Sequence, residues 1–327
     1  MTALMVYGAT GYTGRLTAQH AADSGLDPIL GGRNADQLAQ LAGELGVEHR
    51  AFDLTDPASV DGALRDVAVL VNCAGPYQLT APPLVTASIR TGVHYLDMAA
   101  ELDGYLLAGE LDEQARAAGV MLLPGSGGSV AMLGCLAGHA CERVDDPRRI
   151  RIALNVSGPM SRGSAVSASE NLVTECLMRT DGELTVRSPE DTLEFDFGEG
   201  RVVCTATTLP DLVTIWRATH VPDIETYVHA SADAFPKGDL SALPDGPTED
   251  QRRTNRYQAA VTVEDDGGAV VRSLLDTVNG YTFTSLAAVE AARRVLGGEH
   301  RPGFHTPAEL FGNGFALSIA DTTIRDL

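Results

Sequence analysis

The chain has 327 residues, of which 44% are hydrophobic and 21% charged, and its formal net charge is −20. A chain of this length can bury a large core and suggests two domains. The acidic balance argues against a nucleic-acid or anionic membrane partner, because such partners need basic faces. Its five cysteines lack metal-ligand spacing and no apolar run could span a bilayer, so we predict a cytoplasmic protein without a metal site.

Strand and helix patterns alternate through the first 125 residues. A short apolar run predicts a buried parallel strand at 3–9, and further strands are expected at 27–32, 47–54, 67–75, 93–99 and 120–125. Helices are expected between them, at about 12–25, 34–46, from 56 onward and at 102–118. Asn34 and Asp56 are the expected N-caps of two of these helices, and Gly46 should end the first of the two. The alternation predicts right-handed crossovers and a doubly wound (Rossmann) parallel sheet.

The pattern changes after Gly128. Longer strands are expected at 148–158 and around 183–208, and a helix is expected at 163–178. Residues 256–278 read as two strands joined by Asp-Asp-Gly-Gly, 232–254 as a surface loop and 284–297 as a helix. A second α+β domain with a largely antiparallel sheet fits this order. We therefore predict domains at 1–126 and 127–300, with 301–327 packing back on the first domain.

A glycine-rich loop follows the first strand, in the segment GATGYTG (8–14). Three glycines at this spacing are a weak signal alone, but here they join an apolar strand to a helix at the start of a βαβ unit. Backbone N–H groups and the helix N-terminus there would meet a pyrophosphate. The predicted contacts in this loop are Gly8, Thr10, Gly11, Tyr12, Thr13 and Gly14.

Arg33 follows the second strand, where an acidic residue would bind the 2′-hydroxyl of NAD. An arginine there accommodates the 2′-phosphate of NADP, because its guanidinium bonds a phosphate in bidentate fashion. We therefore predict NADP(H) as the cofactor, although Arg33 could also be a solvated strand-end residue. The further predicted cofactor contacts are Gly32, Asn34, Asp53, Leu54, Cys73, Ala74, Gly75 and Pro76.

These segments together resemble the saccharopine dehydrogenase-like family of NADP-binding oxidoreductases, which includes trans-acting enoyl reductases. The segments that resemble it are GATGYTG (8–14), LGGRN (30–34), NCAGPY (72–77), GVHYLDMAAE (92–101), and the stretches 280–298 and 302–315. The resemblance implies a pyridine-nucleotide domain, then a substrate and dimerisation domain, with the C-terminal segment returning to the first. It covers 180–255 poorly and does not fix the substrate.

Short-chain dehydrogenases share the glycine spacing but depend on a Tyr-x-x-x-Lys pair. Lys237 is the only lysine and Asp233 stands four residues before it, so that mechanism is excluded. Candidate proton donors are Asp97, Glu101 and Tyr77, near strand ends that should face the cofactor. Asp97 and Glu101 could instead brace the loop by hydrogen bonding, and Tyr77 could simply pack. Tyr95 and Asp97 should alternate onto one strand face.

The remaining candidates concern the substrate. Ser126, in PGSGGS (124–129), is expected at the domain junction, and Arg162 could hold a substrate anion or lie in a surface loop. We predict an NADPH-dependent reductase of a C=N or C=C bond in a small metabolite. A carbonyl reductase and a non-catalytic NADP(H) sensor or scaffold stay open. The outer strands of the second sheet need a cover, which predicts a homodimer through residues beyond 150.

Overall fold

The computed structural model describes residues 3–171, 175–231, 234 and 243–327. The chain forms two compact units, each assembled from two separate segments. Unit 1 comprises Met1–Gly128 and Thr284–His305, and unit 2 comprises Ser129–Phe283 and Thr306–Leu327.

Unit 1 contains a seven-stranded sheet in the order β15-β6-β5-β4-β1-β2-β3, and every neighbouring pair is parallel. The central strands are almost completely buried, as their apolar runs predicted. The predicted doubly wound parallel sheet is therefore confirmed. Its strands are β1 (Ala3–Tyr7), β2 (Ile29–Gly32), β3 (His49–Ala51), β4 (Val67–Asn72), β5 (His94–Asp97), β6 (Met121–Leu123) and β15 (Gly303–Phe304).

Helices connect the strands of unit 1, and their termini follow the local sequence. The Asn34 side chain caps α2 by accepting from Gln37 N at 3.1 Å, and Gly46 ends that helix in the left-handed region with φ 70°. Asp56 caps α3 with Pro57 in its first turn. Both predicted caps are confirmed. The helices of this segment are α1 (Tyr12–Asp23), α2 (Ala35–Leu45), α3 (Pro57–Ala63), α4 (Tyr77–Thr91), α5 (Leu102–Glu110) and α6 (Asp112–Ala118).

The single helix predicted at 102–118 is wrong, since α5 and α6 are separate helices. Leu111, between them, has φ −95° and ψ 2°, outside the α-helical region. Apolar periodicity continues through this break, so the sequence pattern did not reveal it.

Unit 2 contains a nine-stranded sheet in the order β10-β11-β12-β7-β13-β14-β16, with β8 paired to β12 and β9 paired to β8. Only β7 and β12 run parallel among these pairs, so the predicted largely antiparallel sheet is confirmed. Its strands are β7 (Arg149–Val156), β8 (Leu177–Thr180), β9 (Glu183–Val186), β10 (Thr192–Asp196), β11 (Arg201–Ala206), β12 (Asp223–Ala230), β13 (Tyr257–Glu264), β14 (Val270–Thr277) and β16 (Thr323–Asp326).

The helices in the rest of the chain differ in length from those predicted. The helix predicted at 163–178 is α8, which ends at Asn171, and the helix predicted at 284–297 begins at Gly280. The predicted loop 232–254 lies largely outside the described residues, but its end is α10, capped by Thr248. These helices are α7 (Gly128–Cys141), α8 (Arg162–Asn171), α9 (Asp211–Thr219), α10 (Glu249–Thr254), α11 (Gly280–Leu296), α12 (Pro307–Phe311) and a 3₁₀ turn, Phe315–Ser318.

The C-terminal segment 301–327 is divided between the two sheets. Strand β15 pairs with β6 in the sheet of unit 1, whereas β16 pairs with β14 in the sheet of unit 2. In the described residues, no helix combines the length and apolar character needed to cross a bilayer.

Candidate functional site

The glycine loop joins β1 to α1 and allows two close backbone approaches. A Cβ on Gly14 would lie 2.1 Å from the Gly8 carbonyl oxygen, so only glycine lets the helix start this close to the loop. Gly8 itself has φ 77°, and a Cβ on it would lie 2.8 Å from that of Ala74. The loop thus packs closely against the segment that follows β4.

The first turn of α1 offers backbone N–H groups at the carboxyl edge of the sheet. The first backbone bond of the helix runs from Arg15 N to Gly11 O at 2.8 Å, so the N–H groups of Thr13 and Gly14 have no partner within the helix. Such a helix start binds phosphate through its N–H groups and dipole. The N–H groups of Thr13 and Gly14, together with the close approach of Gly8 and Gly14, therefore form a cradle whose chemistry suits a pyrophosphate.

Arg33 lies just beyond β2, with an exposed side chain. It makes no hydrogen bond or ion pair within the described residues. Its neighbours among the predicted contacts are already engaged, because Asn34 caps α2 and one Asp53 oxygen accepts from both Thr55 N and Thr55 Oγ1 at 2.8 Å. These two bonds lower the pKa of Asp53. Arg33 is therefore a cation at this edge that is available to an anionic ligand.

The loop Cys73–Pro76 after β4 is held by the buried amide of Asn72. The Asn72 Oδ1 atom accepts from Ala74 N at 3.0 Å, and its Nδ2 donates to Thr80 Oγ1 and Tyr95 Oη, both at 3.1 Å. Thr80 Oγ1 in turn donates to the Ala74 carbonyl. This predicted cofactor segment is therefore fixed from both sides, next to the glycine loop.

Asp97 ends β5 with its side chain 1% exposed. Its carboxylate accepts from Tyr95 Oη at 2.9 Å, Ala99 N at 3.0 Å and Gly125 N at 2.8 Å. Burial raises the pKa of Asp97 to about 6, against the opposite effect of these three donors. The predicted alternation of Tyr95 and Asp97 onto one face is confirmed, and the carboxylate ties β5 to the loop after β6.

Ser126 lies in that loop, and both its donors are engaged. Its backbone N and its Oγ donate to the Asp97 carbonyl oxygen at 2.8 and 3.0 Å. The serine is fully buried. Its hydroxyl proton is therefore used in a hydrogen bond that connects the end of β5 to the loop after β6.

Tyr77 is the first residue of α4 and lies near three other predicted site residues. Burial raises the pKa of Tyr77 well above its usual value, and the charges of Cys73, Asp97 and Glu101 raise it further. The Tyr77 hydroxyl makes no hydrogen bond within the described residues. Glu101 is half-buried, and its carboxylate accepts from Ala100 N at 3.0 Å. Tyr77 is thus a neutral hydroxyl beside two acidic residues.

Arg162, the predicted substrate residue in unit 2, begins α8. Its Nη2 lies 2.8 Å from Asp245 Oδ1, and its Nε donates to the Leu243 carbonyl at 2.9 Å. Its charge is therefore already paired. Lys237 lies outside the described residues, and no group of three or more His, Cys, Asp or Glu side chains in the rest could hold a metal ion.

Sequence reasoning missed the residues that support the predicted site. Asn72 and Thr80 fix the loop after β4, and Tyr7 packs beneath the edge that carries Arg33. One signal was visible for Asn72, since it is a polar residue that continues the apolar run Val67–Val71. A buried amide at the end of a parallel strand needs partners, and the neighbouring loop is the obvious place for them.

Comparisons with known proteins agree with this geometry. Residues 4–123 match the family described as "Saccharopine dehydrogenase NADP binding domain". Over 106 residues the chain is 33% identical to the trans-acting enoyl reductase of Mycobacterium leprae, a match covering 30% of this chain and 25% of that protein. Over 146 residues it is 27% identical to the human saccharopine dehydrogenase-like oxidoreductase, covering 38% and 34%. The chain therefore matches only a quarter to a third of the length of these relatives.

Among solved structures, the fold resembles apo saccharopine dehydrogenase (L-Glu forming) from Saccharomyces cerevisiae. The TM-score is 0.66 with 14% identity, over 99% of both chains. This likeness concerns the fold of the whole chain, whereas the sequence match concerns its first segment. The resemblance expected from the motifs is confirmed over residues 4–123, which match the saccharopine dehydrogenase NADP-binding domain, and this match supports a nicotinamide dinucleotide as cofactor.

Proposed function

We propose that this protein is an NADPH-dependent reductase that acts on a C=N or C=C bond of a small metabolite. The observation that carries this proposal is the cradle of the glycine loop together with the cation Arg33 just beyond β2, which has no hydrogen bond or ion pair in the described part of the chain. The names of the relatives, an enoyl reductase and saccharopine dehydrogenase-like proteins, support the two bond types.

Cofactor choice provides the first test. Hydrogen bonds to charged groups contribute about 1.5–3 kcal/mol, so Arg33→Ala should remove about tenfold or more of a preference for NADPH over NADH. Calorimetric titration of both cofactors into wild type and variant measures this directly. Arg15→Ala is a matched control, because Arg15 is an exposed arginine paired with Glu44 at 3.7 Å. Equal affinities of the wild type for both cofactors would refute NADPH dependence.

The residues at the carboxyl edge of the sheet suggest how the protein would support reduction. When bound, the nicotinamide supplies the hydride. The N–H groups of α1 would hold the pyrophosphate, and the loop Cys73–Pro76, fixed by Asn72, would border the nicotinamide. A proton must then reach the substrate atom that gains charge.

We assign that proton first to Tyr77. Its hydroxyl has no acceptor within the described residues, whereas the Asp97 carboxylate already accepts three hydrogen bonds. Asp97 would then brace the site, and Glu101 would be the second candidate donor.

Single-turnover kinetics with a reducible substrate would test this assignment. Tyr77→Phe should slow reduction by about 10²–10⁴-fold and leave NADPH affinity nearly intact. Glu101→Gln serves as the matched variant, and Asp97→Asn should change stability more than rate. If Glu101→Gln is slow and Tyr77→Phe is normal, the donor is Glu101. Normal rates in both would leave water as the donor.

A non-catalytic NADP(H) sensor is the second candidate function. The three hydrogen bonds that Asp97 accepts favour it, because they give the buried carboxylate of the predicted site a structural role. Bound NADPH should be oxidised in the presence of a metabolite extract if the protein is a reductase, and should persist if it is a sensor. A carbonyl reductase would appear in the same assay as turnover with aldehydes or ketones.

We also propose a homodimer formed through residues beyond 150, in a cytoplasmic setting. Outer strands of the second sheet support this assembly, as do Val186 on β9 and Val203 on β11, which are 62% and 55% exposed. Light scattering should give about twice the chain mass of 34.4 kDa. A monomer at all concentrations would refute the dimer.

A further inference from the structure

Tyr7 is the last residue of β1 and immediately precedes the glycine loop. Its side chain is 2% exposed, and its ring lies against that of Phe52, just beyond β3, with centroids 5.0 Å apart. Strand β2 lies between β1 and β3 in the sheet. The Tyr7 ring therefore reaches across a whole strand to contact Phe52.

Gly31 makes this reach possible. It lies opposite Tyr7 in the parallel pairing of β1 and β2. A Cβ at Gly31 would lie 3.2 Å from Tyr7 Cδ2 and 3.4 Å from Phe52 Cε1, closer than ordinary van der Waals contact. The missing side chain of Gly31 thus leaves the channel that the phenol ring occupies.

The Tyr7 hydroxyl lies near the edge of the sheet where Arg33 and Asp53 follow β2 and β3. Arg33 follows Gly31 by two residues and Asp53 follows Phe52 directly, and the charges of both residues act on the Tyr7 hydroxyl. Burial raises the pKa of Tyr7 to about 12, with smaller opposing effects of Arg33 and Asp53, so the hydroxyl keeps its proton. That hydroxyl makes no hydrogen bond within the described residues, although its oxygen is not sealed from solvent.

We propose that the Tyr7 hydroxyl is a second ligand of the cofactor's 2′-phosphate, donating a hydrogen bond to the same group that Arg33 pairs with. The buried ring is held in place while its hydroxyl has no acceptor in the described part of the chain, so the hydroxyl is free to donate to a bound ligand. A phosphate oxygen accepts strongly, and the fixed ring loses little entropy on binding. This inference rests on the proposed NADPH dependence and adds a neutral donor to the single cation.

The test uses the two adenosine halves of the cofactors, adenosine 2′,5′-bisphosphate and adenosine 5′-monophosphate, in calorimetric titrations. Tyr7→Phe removes only the hydroxyl and keeps the ring against Phe52. It should weaken binding of the bisphosphate about tenfold and leave the monophosphate unchanged. Tyr227→Phe, a hydroxyl deletion in unit 2, is the matched control and should change neither affinity. Thermal unfolding checks that each variant is folded.

Each outcome decides the matter. If Tyr7→Phe binds both halves like the wild type, or loses affinity for both equally, the hydroxyl is not a 2′-phosphate ligand. If the wild type prefers the bisphosphate and Arg33→Ala abolishes that preference while Tyr7→Phe keeps it, only the role of Tyr7 fails. If the wild type shows no preference, the proposed NADPH dependence fails as well. A loss in Tyr7→Phe confined to the bisphosphate supports the inference.

Discussion

Each unit contains a carboxylate that is completely buried, and the two differ in the hydrogen-bond donors around them. Asp97 in unit 1 accepts three hydrogen bonds, from Tyr95, Ala99 and Gly125. Asp211, at the start of α9 in unit 2, is 0% exposed, and its oxygens accept no hydrogen bond from another of the described residues, although its own backbone N–H lowers its pKa slightly. Burial raises the pKa of Asp97 to about 6 and that of Asp211 to about 7.

The two carboxylates therefore differ in their effect on stability. Asp97 holds neighbouring groups by hydrogen bonds, whereas the desolvation cost of Asp211 is largely uncompensated. Three donors offset much of the desolvation cost of Asp97, and their positions on β5 and the loop after β6 depend on it. Beside the Asp211 carboxylate lies only its own backbone N–H, and Thr214 Oγ1 in the same helix is also buried without a partner in the described part of the chain. Stability measurements on the two residues should therefore respond with opposite signs.

The largest effect is expected from Asp97→Ala. The substitution leaves two backbone N–H groups and the Tyr95 hydroxyl without their acceptor, and each such buried group costs about 1–3 kcal/mol. We expect the free energy of unfolding in urea to fall by about 3 kcal/mol or more. Asp103→Ala, at an exposed position on α5, should change it by a few tenths. A small effect at Asp97 would mean that the network does not hold the loops.

Asp211→Asn should stabilise the protein, and the gain should depend on pH. The folded pKa is raised from 3.8 to about 7, so the stability contributed by Asp211 is full below the unfolded value and is lost as pH rises through the folded value. The neutral amide avoids this loss. We expect a gain of about 2 kcal/mol at about pH 8 that disappears near pH 4.

Urea unfolding at both pH values measures this gain, with exposed Glu199→Gln as the control. A variant less stable than wild type at the higher pH would show that Asp211 has a partner when the protein is in solution, such as bound water. The comparison of the two carboxylates would then fail.

Tyr95→Phe should have the smallest effect, and it tests the donors of Asp97 individually. The Tyr95 hydroxyl stabilises the charged carboxylate, so its loss should raise the pKa of Asp97 further. Destabilisation should be about 1–2 kcal/mol at about pH 8, where the carboxylate is charged, and smaller near pH 4, where it is protonated. Equal destabilisation at both pH values would assign the effect to the lost contact with Asn72 instead.

The sequence predicted the parts of unit 1 that depend on local patterns. The alternation of strand and helix patterns located the six predicted parallel strands, and Asn34 and Asp56 marked helix starts because capping is a local interaction. Asp97 was placed at a strand end, but its role was left open, since one of its donors, Gly125, is 28 residues away. Strand β15 was not predicted, because two residues carry no periodicity.

The predictions for unit 2 were coarser for the same physical reason. The antiparallel class followed from long strands and the Asp-Asp-Gly-Gly hairpin, which are local signals. The pairing of β7 with both β12 and β13 joins distant segments, and no pattern in one chain specifies such neighbours. The sequence leaves Arg162 open between an anion ligand and a surface-loop residue, because its partner Asp245 is 83 positions away and no local pattern indicates the pairing.

The two-residue strand β15 has a consequence for synthesis of the chain. Gly303–Phe304 completes the sheet beside β6, and the Phe304 N–H donates to Asp112 Oδ1 at 2.6 Å. The ribosome must therefore add all of Ser129–Phe283 before the last strand of unit 1 is made. Until then β6 is an outer strand with unpaired backbone groups, which are prone to pair with other chains. Synthesis of the nucleotide-binding unit begins before that of unit 2, but its last strand is made only after most of unit 2 has been synthesised.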